Sequence, residues 1–386
     1  MKPAIELIGN NNCTGCYGCL NACNKNAIDM NLNNEGFLEP SVNNEKCIKC
    51  GICQKHCPII NNQLPENLDI LNSFAAWSKN DQIRIKSSSG GVFTEIAKII
   101  VKDGGVVFGV TFDNSLTTRH ISIESEEDIG RIRGSKYVQS HIDDAYQKAI
   151  SIALQGKLVL FSGTPCQIAA MNIFIQSNPR IEIYTCEVIC HGIPSESVFR
   201  SYLDYLSQLK NSEAKEFSFR DKTLGWKKYG IKIIFDNGEE YFRIRHRDPF
   251  MIGFLRNIYL RPVCYDCPFS KIPRISDITL GDFWGVPKEL DDPRGVSVVI
   301  INTPKGKNLF EKVSNIEKVK VSLDQIASHN IRLINGHLER VPYRKDFYKL
   351  LETKGFQGVI EKYLKPYSLF KSLFKKCLLA IKKLKK

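Results

Sequence analysis

The stretch GKLVLFSGTPCQIAAMNIFI, residues 156–175, has the order of an open α/β sheet: a strand, a tight turn and a helix. Its apolar run reads as a buried strand, and Gly163 and Thr164 turn the chain. Pro165 stands at the first helical turn, where its missing N–H costs nothing. The next segment, RIEIYTCEVICHGIPSESVFRSYLDYL (180–206), repeats the order, with a strand ending near Cys190 and a helix from about Ser195. Together they predict a βαβ unit with parallel strands and a right-handed crossover. Ligands of such sheets bind off the carboxyl ends of the strands. Thr164, Pro165, Cys166, Cys190, His191 and Gly192 all fall on that edge.

The neighbouring segments extend the pattern. SFAAW (73–77) and GGVVFGVTFD (104–113) read as strands. Between them, SSSGGVFTEIAKIIV (87–101) is a polar, glycine-rich turn feeding a helix with Phe93, Ile96, Ala97 and Ile100 on one side. Free amides at such a helix start suit a phosphate or a flavin edge, although serine is also an ordinary helix cap. Farther on, IKIIFDNGEEYFRI (231–244) reads as a hairpin turning at Asn237-Gly238.

In front of this body lie two cysteine runs, Cys13, Cys16, Cys19, Cys23 and Cys47, Cys50, Cys53, Cys57, the second closed by Pro58. Both follow C-x2-C-x2-C-x3-C, the spacing of bacterial two-cluster ferredoxins. Three cysteines on a tight loop cap three irons of one cubane, and Gly15, Gly18 and Gly51 let backbone amides approach the sulfurs. The fourth, expected to begin a short helix leading away, reaches the other cluster. The pattern thus predicts one [4Fe-4S] cluster on Cys13, Cys16, Cys19 and Cys57 and another on Cys47, Cys50, Cys53 and Cys23. Zinc also accepts four thiolates, and Cys23 precedes Asn24 where the pattern has proline. Of the remaining cysteines, Cys264 and Cys267 form a C-x2-C pair in RPVCYDCPF. With Cys166 and Cys190 they make a candidate third cluster, Cys186 being held in reserve. A zinc site, unrelated buried thiols and a nucleophilic Cys166 are the alternatives.

The chain has 386 residues and 14 cysteines, and no apolar run long enough to cross a membrane. The N-terminus lacks the apolar core of a signal peptide, so a reducing, cytoplasmic setting is expected and structural disulfides are not. Residues 362–386 hold nine lysines and no acid, which leaves +4 of the net +13 to the rest. Each four-iron centre would remove about two more units, so a nucleic-acid partner is not expected. The tail SLFKSLFKKCLLAIKKLKK places Phe370, Leu373, Phe374, Cys377, Ile381 and Leu384 on one helical face. Such a helix can lie on an anionic membrane, peripheral to the inner face, or dock on its own domain.

SSSGGVFTEIA, GGVVFGVTF, RIRGSKYVQS, LFSGTPCQIAA, CHGIPS and CYDCPFSKIPRISDITLGDFWG occur in order over residues 1–300 together with the cysteine runs. This set resembles the beta subunit of coenzyme F420 hydrogenase/dehydrogenase, fused to an N-terminal two-cluster ferredoxin domain. The resemblance implies an FAD-bound iron–sulfur reductase exchanging a hydride with the deazaflavin coenzyme. Bacterial members with this fusion often accompany polysaccharide-biosynthesis proteins. It implies FAD against Ser88, Ser89, Gly90, Gly91 and Thr94, against Ser135, Lys136 and Tyr137, and against Thr164 and Pro165. It also favours the third cluster. Lys136 would stabilise negative charge on the reduced ring or pair with pyrophosphate, and His191 would donate a proton or cap a turn. Asp282 and Trp284 would line the pocket or end a strand.

The expected architecture is a dicluster ferredoxin domain (1–62) followed by a mixed α/β flavin-binding body. The body comprises an N-terminal lobe (74–150), a C-terminal lobe (155–345) and a basic tail (346–386). The expected function is electron transfer between a hydride carrier or ferredoxin and a substrate not named by the sequence. A non-catalytic electron-transfer module and a redox sensor are the rival readings; a homo-oligomer is compatible with each.

Overall fold

A computed structural model describes residues 1–61 and 71–366. The amphipathic face expected in the tail lies outside the described residues. In the N-terminal domain each cysteine loop runs into a short helix, Gly18–Ala22 or Ile52–Lys55, beside the antiparallel hairpin β1 (Ile28–Leu32) and β2 (Leu38–Val42). The helices do not begin at the fourth cysteines, as the spacing suggested. They contain the third, Cys19 and Cys53; Cys23 ends the first helix and Cys57 lies just beyond the second. A cysteine after a helix is thrown clear of its own loop, which serves the crossing better.

The two loops repeat in backbone as well as in cysteine spacing. Gly15 and Tyr17 have φ of 64° and 64°, while Lys49 and Gly51, offset by the same 34 positions as the cysteines, have 55° and 78°. Left-handed Tyr17 and Lys49 are disfavoured alone and persist only where the surroundings enforce them. Gly18 serves a different need. Its φ is ordinary, but a Cβ there would meet the His56 carbonyl oxygen at 2.7 Å.

The body is built on one eight-stranded mixed sheet. In chain order its strands are β3 (Asn72–Ser78), β4 (Val106–Phe112), β5 (Thr118–Ile123), β6 (Val159–Gly163) and β7 (Ile183–Val188). Beyond β8 (Ala214–Asp221), β9 (Gly230–Phe235) and β10 (Glu240–Ile244), which form a separate three-stranded sheet, come β11 (Ile278–Asp282), β12 (Ser297–Ile301) and β13 (Ile316–Lys320). The spatial order is β13-β3-β12-β11-β7-β6-β4-β5. β4, β6, β7 and β11 are parallel neighbours, flanked by antiparallel strands. Strands from both segments of the body therefore share one sheet.

Alternation along the central strands sends side chains to both faces. Phe108 and Phe161 pack with Ile168, Met171 and Phe174 of the helix Pro165–Gln176. Val107 and Leu160 pack with Ile96 and Ile100 of the helix Val92–Lys102 on the opposite face. β7 stops at Val188, so Cys190 and His191 lie in the loop beyond the strand.

The ferredoxin domain is fastened to this body by its hairpin turn and first cysteine loop. The Ser195 hydroxyl donates to the Glu35 carbonyl, and the Glu196 amide donates to that of Gly36 at 3.0 Å. Arg344, largely buried, holds the Glu35 carboxylate with both terminal nitrogens and reaches the Leu260 carbonyl at 2.9 Å. Tyr146 Oη lies 2.9 Å from the Cys16 carbonyl, Asn21 donates to the Asp143 carbonyl at 2.7 Å, and Tyr17 and Leu38 enter the body's core.

Removing the carboxylate leaves the Arg344 guanidinium short of its partner. Glu35→Ala should cost about 2 kcal/mol in urea unfolding, and Glu35→Gln, which keeps one acceptor, should cost less.

Candidate functional site

The first cysteine run is met by the last cysteine of the second. Cys13, Cys16 and Cys19 enclose a small apolar space with Cys57 of the second run. Three amides point at sulfurs at 3.4 Å: Gly15 at Cys13, Ala27 at Cys23 and Ala4 at Cys53. Burial pushes the Cys16 thiol up to about 12 and raises Cys13 and Cys57 as well. Bare thiolates are costly in such surroundings, and a cationic metal core would hold them deprotonated. Amide donors beside the sulfurs suit the same core. In the second set, Cys50 is exposed and Cys23, Cys47 and Cys53 are half-buried. Among the described residues no three His, Cys, Asp or Glu side chains converge on the position of a single ion.

A third group forms where the body meets the first loop. Cys166, at the start of the helix Pro165–Gln176, lies within the fields of Cys267 and Cys190, and Cys264 within those of both. Burial pushes Cys190 to about 11 and Cys264 to about 12. Cys186 does not join them. It points into the sheet core, and the charges it feels are those of Glu187 and Asp277. The reserve ligand is thus a core residue of β7, separated from Cys190 by the strand's last turn into the loop.

Buried arginines surround this group. Arg332 donates to the Cys190 and Cys264 carbonyls at 3.3 and 3.2 Å. Arg274, 1% exposed, is paired with Glu187, whose carboxylate also accepts from Thr279 at 2.8 Å. Arg261, also 1% exposed, donates to the Cys13 carbonyl at 2.9 Å and to Gln139 at 2.8 Å. Its charge acts on both Cys13 and Cys264. Tyr146 ties the same junction from the other side, its hydroxyl lying between the Cys16 and Gln167 carbonyls. Cys166 feels Cys16 across this junction, and Cys19 of the first run feels Cys53 of the second. The three cysteine groups therefore stand in a row, the exposed set outermost.

At the inner end of the row opens a cavity of about 940 Å³, at the upper end of the range for ligand sites. Its wall includes Thr14 and Gly15 of the ferredoxin loop, then Cys166 and Cys190. Ser88, Ser89, Gly91 and Thr94 line it, as do Ser135, Lys136, Tyr137 and Thr164. Gly90 and Pro165 do not. Gly90 is pressed against the sheet, its amide held by the Ser297 hydroxyl at 2.8 Å and its Cα hydrogens where a Cβ would strike the Ala76 carbonyl oxygen at 2.4 Å. Pro165 is buried beneath the turn as the first helical residue. Both shape the wall from behind.

The turn's side chains are partly committed. Ser88 Oγ accepts from the Ser135 amide at 2.7 Å, joining the two loops, while Ser89 donates to the Val296 carbonyl. Thr94 accepts from Arg133 Nε at 3.0 Å. Lys136 is half-buried and donates to the Arg133 carbonyl at 2.9 Å; withdrawal from water pulls its pKa down to about 7. His191 lines the cavity with Nε2 2.8 Å from Asn257 Oδ1. Burial lowers its pKa, which favours the neutral ring.

Sequence reasoning missed the group that organises the floor. Arg220 of β8 is gripped by Asp282 through two hydrogen bonds of 2.6 and 2.8 Å, and reaches Tyr137 Oη at 3.0 Å and the Ser88 carbonyl at 2.9 Å. It stacks 3.9 Å from the Tyr229 ring centre. Asp282 both ends β11 and faces the cavity, and Trp284 lies parallel to Trp226 with Arg245 over its ring. An arginine in a strand carries no motif, so no spacing could have singled out Arg220. The cavity wall thus combines aromatic faces with Arg133, Lys136 and Arg245, a composition suited to a flat, anionic ligand.

Residues 73–146 match the N-terminal part, and residues 156–326 the C-terminal part, of the family described as coenzyme F420 hydrogenase/dehydrogenase, beta subunit. Residues 12–59 match the 4Fe-4S dicluster domain. The F subunit of F(420)H(2) dehydrogenase from Methanosarcina mazei is 27% identical over 331 residues, 81% of this chain and 86% of that protein. Coenzyme F420-dependent sulfite reductase of Methanocaldococcus jannaschii is 22% identical over 370 residues, 92% of this chain; the match takes in 54% of that protein's length. A chain of the F420-reducing [NiFe] hydrogenase complex from Methanosarcina barkeri shares the fold, with a TM-score of 0.50 at 19% identity over 75% of this chain and 95% of that one. With both halves of the body matched in order behind a dicluster domain, the chain belongs to the family of coenzyme F420 hydrogenase/dehydrogenase beta subunits, iron–sulfur oxidoreductases.

Proposed function

We propose that the protein is an iron–sulfur flavoprotein that moves electrons between a deazaflavin-type hydride carrier and a one-electron acceptor or donor. The observation that carries the reading is the single cavity wall shared by the serine–glycine turn and by Cys166 and Cys190. FAD would lie against Ser88, Ser89, Gly91, Thr94, Ser135, Tyr137 and Thr164, and clusters would be held by the two crossed sets and by Cys166, Cys190, Cys264 and Cys267. Bound there, a flavin exchanges two electrons with a hydride donor and single electrons with clusters.

The chain's own residues perform the rest. Lys136 and Arg133 receive an anionic portion of the cofactor. Arg220, locked by Asp282, keeps Tyr137 and the Ser88 carbonyl in place. His191, whose neutral form burial favours, offers a hydrogen bond at the cavity wall. Arg261 and Arg332 offset the negative charge that thiolate-bound clusters bring into a dry interior. The ferredoxin domain, clamped through Glu35 and Arg344, keeps the cysteine groups at fixed separation.

Anaerobically purified protein should contain roughly twelve irons per chain and one releasable FAD. Cys166→Ser should lose about four irons with the other two centres retained, and a wild-type content of eight would remove the third centre. Lys136, with its pKa near 7, should react with an amine-selective acylating reagent at pH 8 well ahead of the exposed lysines, half-maximally near pH 7. A midpoint at the usual lysine pKa would contradict the desolvated amine. Arg261→Gln should lower the midpoint potential of the first cluster by roughly 60 mV, a tenfold shift for one electron, whereas Arg261→Lys should largely restore it in EPR-monitored redox titration.

A further inference from the structure

We infer that the outer face of the ferredoxin domain, around Cys50, docks an acidic protein that carries one electron at a time. The inference rests on the function proposed above and names the partner at the end of the cysteine row farthest from the cavity.

Cys50 is exposed, whereas every other described cysteine is buried or half-buried. Beside it Ile48 is 62% exposed, a large aliphatic side chain left in water at the tip of the loop. Met1, 71% exposed, lies against the next turn, where a Cβ on Gly51 would meet its sulfur at 2.2 Å. Lys46, Lys49 and Lys55 are exposed on the same loop and helix. Lys2 is brought beside them by the Gln54 side chain, which donates to the Lys2 carbonyl at 2.5 Å. From Asn43 to Cys57 the only acidic residue is Glu45. Among the described residues none of the four lysines is in an ion pair.

An apolar tip ringed by unpaired cations at the solvent edge of a redox centre suits a small docking patch of opposite charge. Steering by such a ring speeds encounter and falls with salt. The apolar area is too small to seat the domain on a bilayer, which favours a protein partner. The electron count also calls for a repeated visitor. One hydride brings two electrons and a proton; two carriers each leave with one electron, and the proton is released to solvent.

The test uses anaerobic holoprotein and an acidic bacterial two-cluster ferredoxin as probe, with binding followed by calorimetry. Affinity should fall at least about tenfold as salt rises from about 50 to about 300 mM. Lys46→Glu, Lys49→Glu and Lys55→Glu combined should weaken it by about tenfold or more. The same three positions changed to Gln should give an intermediate loss with full iron content. Unchanged affinity in either variant overturns the inference, as does wild-type protein that ignores the ferredoxin and sediments with vesicles of anionic lipid. Reduction of a viologen dye by the reduced deazaflavin coenzyme is read in parallel. Its absence in wild type sinks the proposed function, while ferredoxin binding still reports on the docking face.

Discussion

The arrangement depends on one buried cation. Arg261 leaves the body from the loop before Cys264 and ends beneath Gly15, where its terminal nitrogen stands 2.7 Å from the site of a missing Cβ. A side chain at Gly15 would occupy the guanidinium's place, so the glycine of the first cysteine loop is fixed by a residue nearly 250 positions away. By holding the Cys13 carbonyl, the Leu38 carbonyl and Gln139, Arg261 fastens loop, hairpin and body at one point. Burying an unpaired arginine is expensive. Here three carbonyl acceptors and two neighbouring groups of cysteines surround it, so the same charge serves docking and electrostatics.

The parts of the fold visible in the sequence were those governed by local rules. Strand, turn and helix around Thr164-Pro165 follow from apolar runs and proline chemistry, and the parallel pairing of β6 with β7 follows from the short crossover. Of the crossing expected from the cysteine spacing, the enclosure of Cys57 with Cys13, Cys16 and Cys19 is visible in the fold. The eight-stranded order was not legible, since β3 joins β12 and β13 across more than two hundred residues. Nor were the buried charges. Arg220, Arg274 and Arg332 each sit in segments whose periodicity says nothing about what an arginine meets once the chain is packed.

The site showed the same division. Most residues of the SSSGG stretch reach the cavity because a turn at a helix start must face outward from the sheet, and those of GSKYV do so from the irregular chain after a short helix. Gly90 of SSSGG and Pro165 of GTPC act from behind, Gly90 by giving the sheet room and Pro165 by starting a helix. A motif records which residues travel together; it does not separate those that touch a ligand from those that make the touching possible. His191 shows a further limit: its place just beyond a strand end was legible, but the burial that lowers its pKa, opposed by the hydrogen bond with Asn257 more than sixty positions on, was not.

The graded burial of the thiol groups has a consequence for chemical durability. The inner sets are screened by aromatic and aliphatic side chains, while the loop bearing Cys50 meets solvent directly. Diffusing oxidants would reach iron at the periphery first, and Gly51 and Lys49 would be the backbone positions loosened by its loss. The hairpin clasp at Glu35 and the arginine beneath Gly15 belong to the junction with the body. Damage at the rim would thus interrupt traffic with the outside before it undid the junction, leaving the cavity and its wall intact.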